Sequence, residues 1–152
     1  MRIRTMTAVA IAFLAGTTLA FASGPATKDA AVAMVKKAVA AIKTEGTEKA
    51  YAEINTSNGK FVDGEIYAVV QAFDGTTLAH ATNPKLIGRN MMDAQDVDGK
   101  YFAKDMAERG QKEATFWYDF KFVNPVTKKI QIKDMYCESL APTTVCAGVY
   151  RP

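Results

Sequence analysis

Residues 67–80 read YAVVQAFDGTTLAH, two strand-like runs separated by a turn signal. Asp74-Gly75 is typical of a two-residue hairpin turn, because both residue types tolerate the backbone angles that such turns require. We therefore expect one strand over residues 61–73 and a second, antiparallel to it, over residues 76–80. This hairpin commits the middle of the chain to an antiparallel sheet.

The chain before the hairpin has the periodicity of a helix. Apolar side chains within residues 27–43 recur at intervals of three and four, which places them on one helical face: Val32, Val35, Val39 and Ile42. Gly46 is expected to end this helix, and a short second helix is expected over residues 47–54.

The chain after the hairpin predicts a long connection, one helix and three further strands. The connection runs over residues 83–99 and leads into a helix over residues 100–108. The strands are expected over residues 115–123, 130–138 and 144–150. The expected fold class is therefore α+β: a long N-terminal helix packed on an antiparallel sheet of about five strands, with a helical connection after the first hairpin.

The N-terminal segment predicts export. Arg2 and Arg4 precede an apolar run, and Ala20-Phe21-Ala22 has the small-residue pattern of a cleavage site. We expect a signal peptide over residues 1–22 and a periplasmic or secreted mature chain. The alternative is an uncleaved anchor, but the apolar run is shorter than the roughly 20 residues that a span needs. No membrane span is expected in the mature form.

The mature chain has a size and charge that narrow its function. Residues 23–152 are enough for one domain with one core. Loss of the two arginines lowers the net charge from +3 to +1, because the leader contains no acidic residue. This balance gives no reason to expect nucleic acid or an anionic membrane as a partner.

Cys137 and Cys146 are expected to form a structural disulfide. Two strands joined by a four-residue loop over residues 140–143 place the two cysteines opposite each other, within bridging distance. An oxidising compartment also favours the bridge. The alternative is a redox or metal-binding pair, which lacks both the C-x-x-C spacing and histidine partners.

These segments, in this order and at these spacings, resemble the single Cache domain family, the extracellular PAS-like sensor modules of bacterial receptors. The resemblance covers about residues 30–150 and is most specific over residues 67–80. It continues through the following motifs: NPKLIGRN at 83–90, DVDGKYF at 96–102, Trp117, Asn124-Pro125, KDMY at 133–136 and GVY at 148–150.

The resemblance implies a domain that binds a small polar ligand, with a short organic acid as the expected class. Family members usually continue into a membrane helix and a signalling module, whereas this chain stops at Pro152. Its signal is therefore expected to be reported by another protein, a membrane receptor or a histidine kinase. The alternative is a ligand-free accessory domain that docks on such a receptor. An enclosed pocket would favour the first, and an exposed apolar patch the second.

The resemblance also names the residues of the pocket. Lys133 and Tyr136 form the family's Lys-x-x-Tyr motif, and an ammonium with a phenol suits a small carboxylate. His80, the only histidine, leads from a strand into the connection beside the expected pocket. The other expected contacts are Tyr67, Asn90, Trp117 and Tyr118. Where members often have Trp-x-x-Tyr, this chain has Trp-x-x-Phe, so a pocket hydroxyl is either missing or supplied by Tyr118.

Several of these residues also have a structural alternative. His80 suits a satisfied core histidine, Lys133 a solvated side chain, and Tyr67 a contact with the N-terminal helix. A flat strand places Lys133 and Tyr136 on opposite faces, so either a bulge brings them together or they have separate roles. Trp117 stands among charged residues, opposite an aromatic stripe, and is expected to contact a ligand or a partner.

No enzyme activity, metal or cofactor is expected. No nucleophile–base pair is identifiable, and a hydrolase that uses carboxylates such as Asp119 is the remaining alternative. The aspartates within residues 93–98 resemble a calcium-binding loop, but its first ligand position would be Ala94, so the pattern fails. Its twelfth position is Asp105 rather than glutamate. Capping of the helix at Lys100 is the preferred explanation.

The export hypothesis is tested by N-terminal sequencing of the protein from a periplasmic fraction. We expect the mature chain to begin at Ser23 or within two residues of it. A chain that still begins at Met1 in the membrane fraction would contradict the signal-peptide interpretation.

Overall fold

The computed structural model describes residues 26–152, so the predicted signal peptide over residues 1–22 lies outside the described part. The fold is α+β, as predicted. The described residues contain three α-helices, α1 (Lys28–Glu45), α2 (Thr47–Ile54) and α3 (Phe102–Gly110), and a short 3-10 helix (Pro84–Leu86). No helix in the described range is both long and apolar enough to cross a membrane.

The boundaries of α1 follow from local chemistry. The helix begins where the Thr27 hydroxyl accepts a hydrogen bond from the Ala30 N–H at 3.1 Å. It ends at Gly46, whose φ of +84° lies in the region that glycine adopts without a steric penalty. The helix therefore extends two residues beyond the predicted end.

Seven strands form two sheets. A short hairpin pairs β1 (Val62–Asp63) with β2 (Ile66–Tyr67). The main sheet is antiparallel with five strands in the order β4-β3-β7-β6-β5, which confirms the predicted sheet. Its members are β3 (Val69–Ala72), β4 (Thr77–His80), β5 (Thr115–Val123), β6 (Ile130–Leu140) and β7 (Thr143–Tyr150).

Several other predicted boundaries were also wrong. The single strand over residues 61–73 is interrupted by a turn at Gly64, whose φ is +58°. The loop between β6 and β7 contains only Ala141 and Pro142, because both strands are longer than predicted. α3 begins two residues later than expected and has no side-chain cap.

The main sheet is covered on both faces. On one face α1 packs against β6 and β7, with Val35, Val145 and Ala147 fully buried between them. On the other face α3 packs through Phe102 and Met106. Residues 81–101, the connection between β4 and α3, run beside this second face. The sheet is thus buried on both sides. A site can therefore be enclosed between its second face and the layer formed by α3 and the connection.

Both edges of the main sheet are occupied by other parts of the chain. Along β4, the Gly88 N–H donates to the Thr77 carbonyl and the Thr77 N–H donates to the Arg89 carbonyl, at 2.8 and 2.9 Å. Along β5, three side chains bond backbone groups on the outer edge. Arg109 donates to the Trp117 carbonyl and Lys100 donates to the Asp119 carbonyl. Asp96 accepts the Lys121 N–H.

Asp96 has a different role from the predicted helix cap. Its Oδ1 accepts the N–H groups of Asp98 and Lys100, and its Oδ2 accepts the N–H of Lys121 on β5. These bonds lower the pKa of Asp96. The carboxylate therefore ties the connection to the sheet edge.

The disulfide between Cys137 and Cys146 joins β6 to β7 at directly opposed positions, with a Cα–Cα distance of 4.2 Å. The predicted opposition of the two cysteines is confirmed, and Ser139 lies opposite Thr144 in the same register. Both cysteines lie in the apolar layer beside Met106 of α3.

We expect both cysteines to resist alkylation until the protein is reduced. Reduction should lower the free energy of unfolding by about 2.5 kcal/mol, because the bridge closes a short loop in the unfolded chain. Urea unfolding with and without reductant measures this change. Two reactive thiols in the unreduced protein would contradict the bridge.

Candidate ligand-binding cavity

A cavity of about 40 Å³ lies between the main sheet and the layer formed by α3 and the connection. Side chains with polar atoms line part of it: Tyr67, Gln71, Thr77, His80 and Lys133. The remaining lining is apolar: Val69, Leu86, Met91, Phe102, Met106, Phe120, Phe122 and Met135. A small number of convergent polar groups in a mostly apolar wall is characteristic of small-molecule sites.

Lys133 on β6 is the charged group of the cavity. It is 1% exposed, and none of the carboxylates in residues 26–152 lies within 4 Å of its ammonium. Burial lowers the pKa of Lys133, and Tyr67 and Glu65 only partly oppose this effect. The cavity therefore contains a cationic group that lacks a nearby counterion from the described chain.

Two aromatic rings stabilise this lysine in place of a carboxylate. Its Nζ lies 3.7 Å from the ring centroid of Tyr67 and 5.0 Å from that of Tyr150. Cation–π attraction of this kind is worth about 2 kcal/mol when the charge is desolvated. The rings offset part of the cost of burial and hold the ammonium at the cavity wall.

The two tyrosines are fixed by a chain of hydrogen bonds. The Tyr150 hydroxyl donates to the Val123 carbonyl at 2.9 Å, so the Tyr67 hydroxyl donates in turn to Tyr150 at 3.1 Å. Glu65 accepts the Tyr150 N–H at 3.0 Å and the Asn124 side-chain amide at 2.8 Å. This network positions the Tyr67 ring beneath Lys133.

Gly148 on β7 provides the space for the lysine stem. A Cβ atom at this position would lie 3.0 Å from Lys133 Cε, 3.0 Å from Met135 Sδ and 2.5 Å from the Asp134 carbonyl oxygen. Any side chain at residue 148 would therefore displace the backbone or the lysine. This close approach explains a glycine in the GVY motif.

His80 ends β4 and presents a hydrogen-bond donor. Its Nδ1 accepts the backbone N–H groups of Asn83 at 3.1 Å and Thr82 at 3.4 Å. The proton of the neutral imidazole is therefore on Nε2. Burial and the nearby Lys133 lower the pKa of His80 to about 4. At neutral pH the site thus contains an uncharged imidazole and a lysine.

The structure brings three of the seven expected ligand residues to the cavity: Tyr67, His80 and Lys133. They come from β2, β4 and β6, and their side chains converge although the residues are far apart in sequence. Tyr67 also contacts the α1 side of the core, so both of its proposed roles are compatible with its position.

The other four expected residues lie outside the cavity lining. The Asn90 side chain donates to the Asp74 carbonyl and accepts the Met92 N–H, beside the turn between β3 and β4. Tyr136 lies on the α1 face of β6, opposite to Lys133, and donates to Glu138 at 3.0 Å. No bulge brings it back, because β6 pairs regularly from residue 130 to residue 140.

Trp117 and Tyr118 lie near the outer edge of the sheet. Trp117 is 36% exposed, packs against Tyr136 on the α1 face, and has the Lys28 ammonium 5.0 Å above its ring. Tyr118 donates a 2.6 Å hydrogen bond to Asp105 of α3. Burial and this carboxylate raise the pKa of Tyr118. The tyrosine therefore fixes α3 to the sheet.

Sequence reasoning missed Gln71 and Thr77 as cavity residues. Gln71 is buried and donates to the Ala103 carbonyl at 2.7 Å, which joins β3 to α3. A signal was available, because residues 67, 69 and 71 alternate along the chain and share one face. The contributions of Met91 and Leu86 from the connection had no periodic signal.

Known proteins resemble this chain in family and in fold. The family model described as Single Cache domain 2 matches residues 1–150. A search of curated proteins found no match.

Solved structures of sensor domains have a similar fold. A methyl-accepting chemotaxis protein from Vibrio parahaemolyticus has a TM-score of 0.68 at 21% identity, over 81% of this chain and 87% of that chain. A Cache chemosensory domain described in terms of carboxylic acid recognition has a TM-score of 0.63 at 18% identity, over 82% and 88%. A periplasmic sensor domain of a chemotaxis protein has a TM-score of 0.62 at 20% identity, over 82% and 90%.

The lowered pKa of His80 predicts a loss of stability in mild acid. The unfolded chain takes up a proton near pH 6.5, whereas the folded chain resists until about pH 4. The free energy of unfolding should therefore fall by about 2 kcal/mol between pH 7 and pH 5. Urea unfolding at the two pH values measures the fall.

The control is His80→Asn, which keeps an acceptor near the Nδ1 position but cannot titrate. We expect a much smaller fall in this variant over the same pH interval. An equal fall in both proteins would show that His80 is not the buried neutral group.

Proposed function

Because the chain belongs to the single Cache domain family, whose members are extracellular or periplasmic sensor modules, we propose that it binds a short monocarboxylate beside Lys133 and reports it to another protein. The observation that carries this proposal is the buried lysine without a carboxylate within 4 Å in the described chain. An anionic ligand would supply the missing counterion and favour the charged ammonium.

The donors around the cavity support a carboxylate rather than a cation. Lys133 offers an ammonium, and the Nε2–H of His80 is the proton left free by the two backbone bonds at Nδ1. A carboxylate oxygen accepts both types of bond, whereas an amine ligand would face two donors. The apolar side chains that complete the lining suit a short hydrocarbon portion.

The size of the cavity supports a very small ligand. A cavity of about 10–15 Å³ is enough for one water molecule, so a cavity of about 40 Å³ admits only a few non-hydrogen atoms. Acids of one to three carbon atoms are therefore the proposed class. The similar Cache domain described in terms of carboxylic acid recognition supports the same chemical class.

We propose binding without catalysis. The Nδ1 lone pair of His80 already accepts two backbone N–H groups, and in this proposal its Nε2–H donates to the ligand. The imidazole therefore has no free lone pair with which to act as a base. Signal output is assigned to a membrane receptor or histidine kinase, since Cache domains serve as the sensor modules of such proteins.

A second candidate is a ligand-free accessory domain that docks on a receptor. The supporting observation is a group of exposed apolar side chains near the turn between β5 and β6: Val97, Val123, Val126 and Ile130. Such a group favours a protein contact. The two candidates differ in whether small acids bind at all.

A thermal-shift screen with formate, acetate and propionate, followed by isothermal titration, tests the proposal. Lys133→Met should weaken binding of the best acid by about tenfold to a hundredfold, because it removes a charged hydrogen-bond donor. Its melting temperature should not fall, since the variant replaces a buried charge by an apolar side chain.

The matched control is Tyr136→Phe, which changes the same sequence motif on the opposite face of β6. We expect wild-type affinity in this variant. Unchanged affinity in a folded Lys133→Met protein would place the carboxylate elsewhere, and no stabilisation by any acid would favour the accessory domain.

A further inference from the structure

A groove of about 300 Å³ lies directly beside the cavity. The two spaces share three lining residues: Met91 of the connection, Phe102 of α3 and Phe122 of β5. The rest of the groove is lined by apolar side chains, Ala94, Val97, Val123 and Ile130, and by Gln95, Asp96 and Lys121. These three side chains therefore lie between the small cavity and the larger groove.

We propose that Met91, Phe102 and Phe122 form a partition that limits ligand length and through which the ligand reaches the cavity. This inference rests on the proposed function, because it assumes a carboxylate held at Lys133 with its hydrocarbon end toward the partition. It makes these three residues determinants of specificity.

The two aromatic members of the partition are held firmly. Phe102 stacks on Phe120 with ring centroids 4.6 Å apart and planes at 9°, and it meets Phe122 edge-on at 5.9 Å. Phe102 is also buried in the first turn of α3. Movement of either ring would disturb the packing between α3 and β5.

Met91 has the most flexible side chain of the three. Its backbone is fixed, since its N–H donates to the Gly75 carbonyl at 2.9 Å and its carbonyl accepts the Ala94 N–H at 3.0 Å. Its side chain is only partly buried and has three rotatable bonds. Rotation of this one side chain can open the partition without a change of the backbone.

The charged residues of the groove are already engaged. Lys121 pairs with Asp98 at 2.9 Å, and both carboxylate oxygens of Asp96 accept backbone N–H groups. The groove beyond the partition therefore offers apolar surface to a hydrocarbon chain. Each methylene buried there should strengthen binding about fourfold.

The first test compares Met91→Ala with Met106→Ala, the same substitution at a methionine that lines only the cavity. Isothermal titration with acetate, butyrate and hexanoate gives the affinity ratio of hexanoate to acetate. Met91→Ala should raise this ratio at least tenfold over wild type, whereas Met106→Ala should not. An unchanged ratio in Met91→Ala, or an equal rise in both variants, would overturn the partition.

The second test needs no ligand. Both native cysteines are bridged, so Thr77→Cys introduces one thiol inside the cavity. Its labelling by methyl methanethiosulfonate should be at least tenfold faster with Met91→Ala and unchanged with Met106→Ala. Equal labelling rates in all three backgrounds would overturn the partition. Val69→Cys, also at the cavity wall, replaces Thr77→Cys if that variant does not fold.

The two tests separate this inference from the proposed function. Faster labelling without binding of any acid would support the partition and contradict the carboxylate ligand. Acid binding that depends on Lys133, combined with unchanged labelling and an unchanged affinity ratio, would support the proposed function and overturn the partition.

Discussion

The burial of one ammonium group constrains the residues that pack around it. Lys133 lies inside the fold without a carboxylate within 4 Å in residues 26–152, and such a position is costly unless other groups replace water. The tyrosine rings at residues 67 and 150 supply electron-rich faces, and their hydroxyls are locked together. Gly148 leaves the required space. These features together compensate for the burial of the lysine.

The fold was largely predictable because its main signals are local. The apolar period of α1 and the opposition of the two cysteines depend only on spacing along the chain, and both were correct. The strand over residues 61–73 was not, because Gly64 adopts a positive φ that hydropathy does not report. Strand alternation also indicated that residues 133 and 136 lie on opposite faces, as the structure has them.

The cavity was less predictable because it is assembled from distant segments. Lys133, His80 and Tyr67 were identified from motifs, but Asn90, Trp117, Tyr118 and Tyr136 bind other parts of the chain. The connection contributes its side chains through a path without periodicity, held by backbone bonds to the first hairpin. No pattern in the sequence predicts which side of such a segment faces inward.

The occupied edges of the main sheet have a consequence for aggregation. Exposed edge strands are templates onto which other chains add and aggregate. Here the connection runs along β4, and Arg109, Lys100 and Asp96 bond the outer backbone of β5. Strand addition at these positions would first require the breaking of native bonds. Extension of the sheet by another chain, including self-association into fibrils, is therefore disfavoured at these edges.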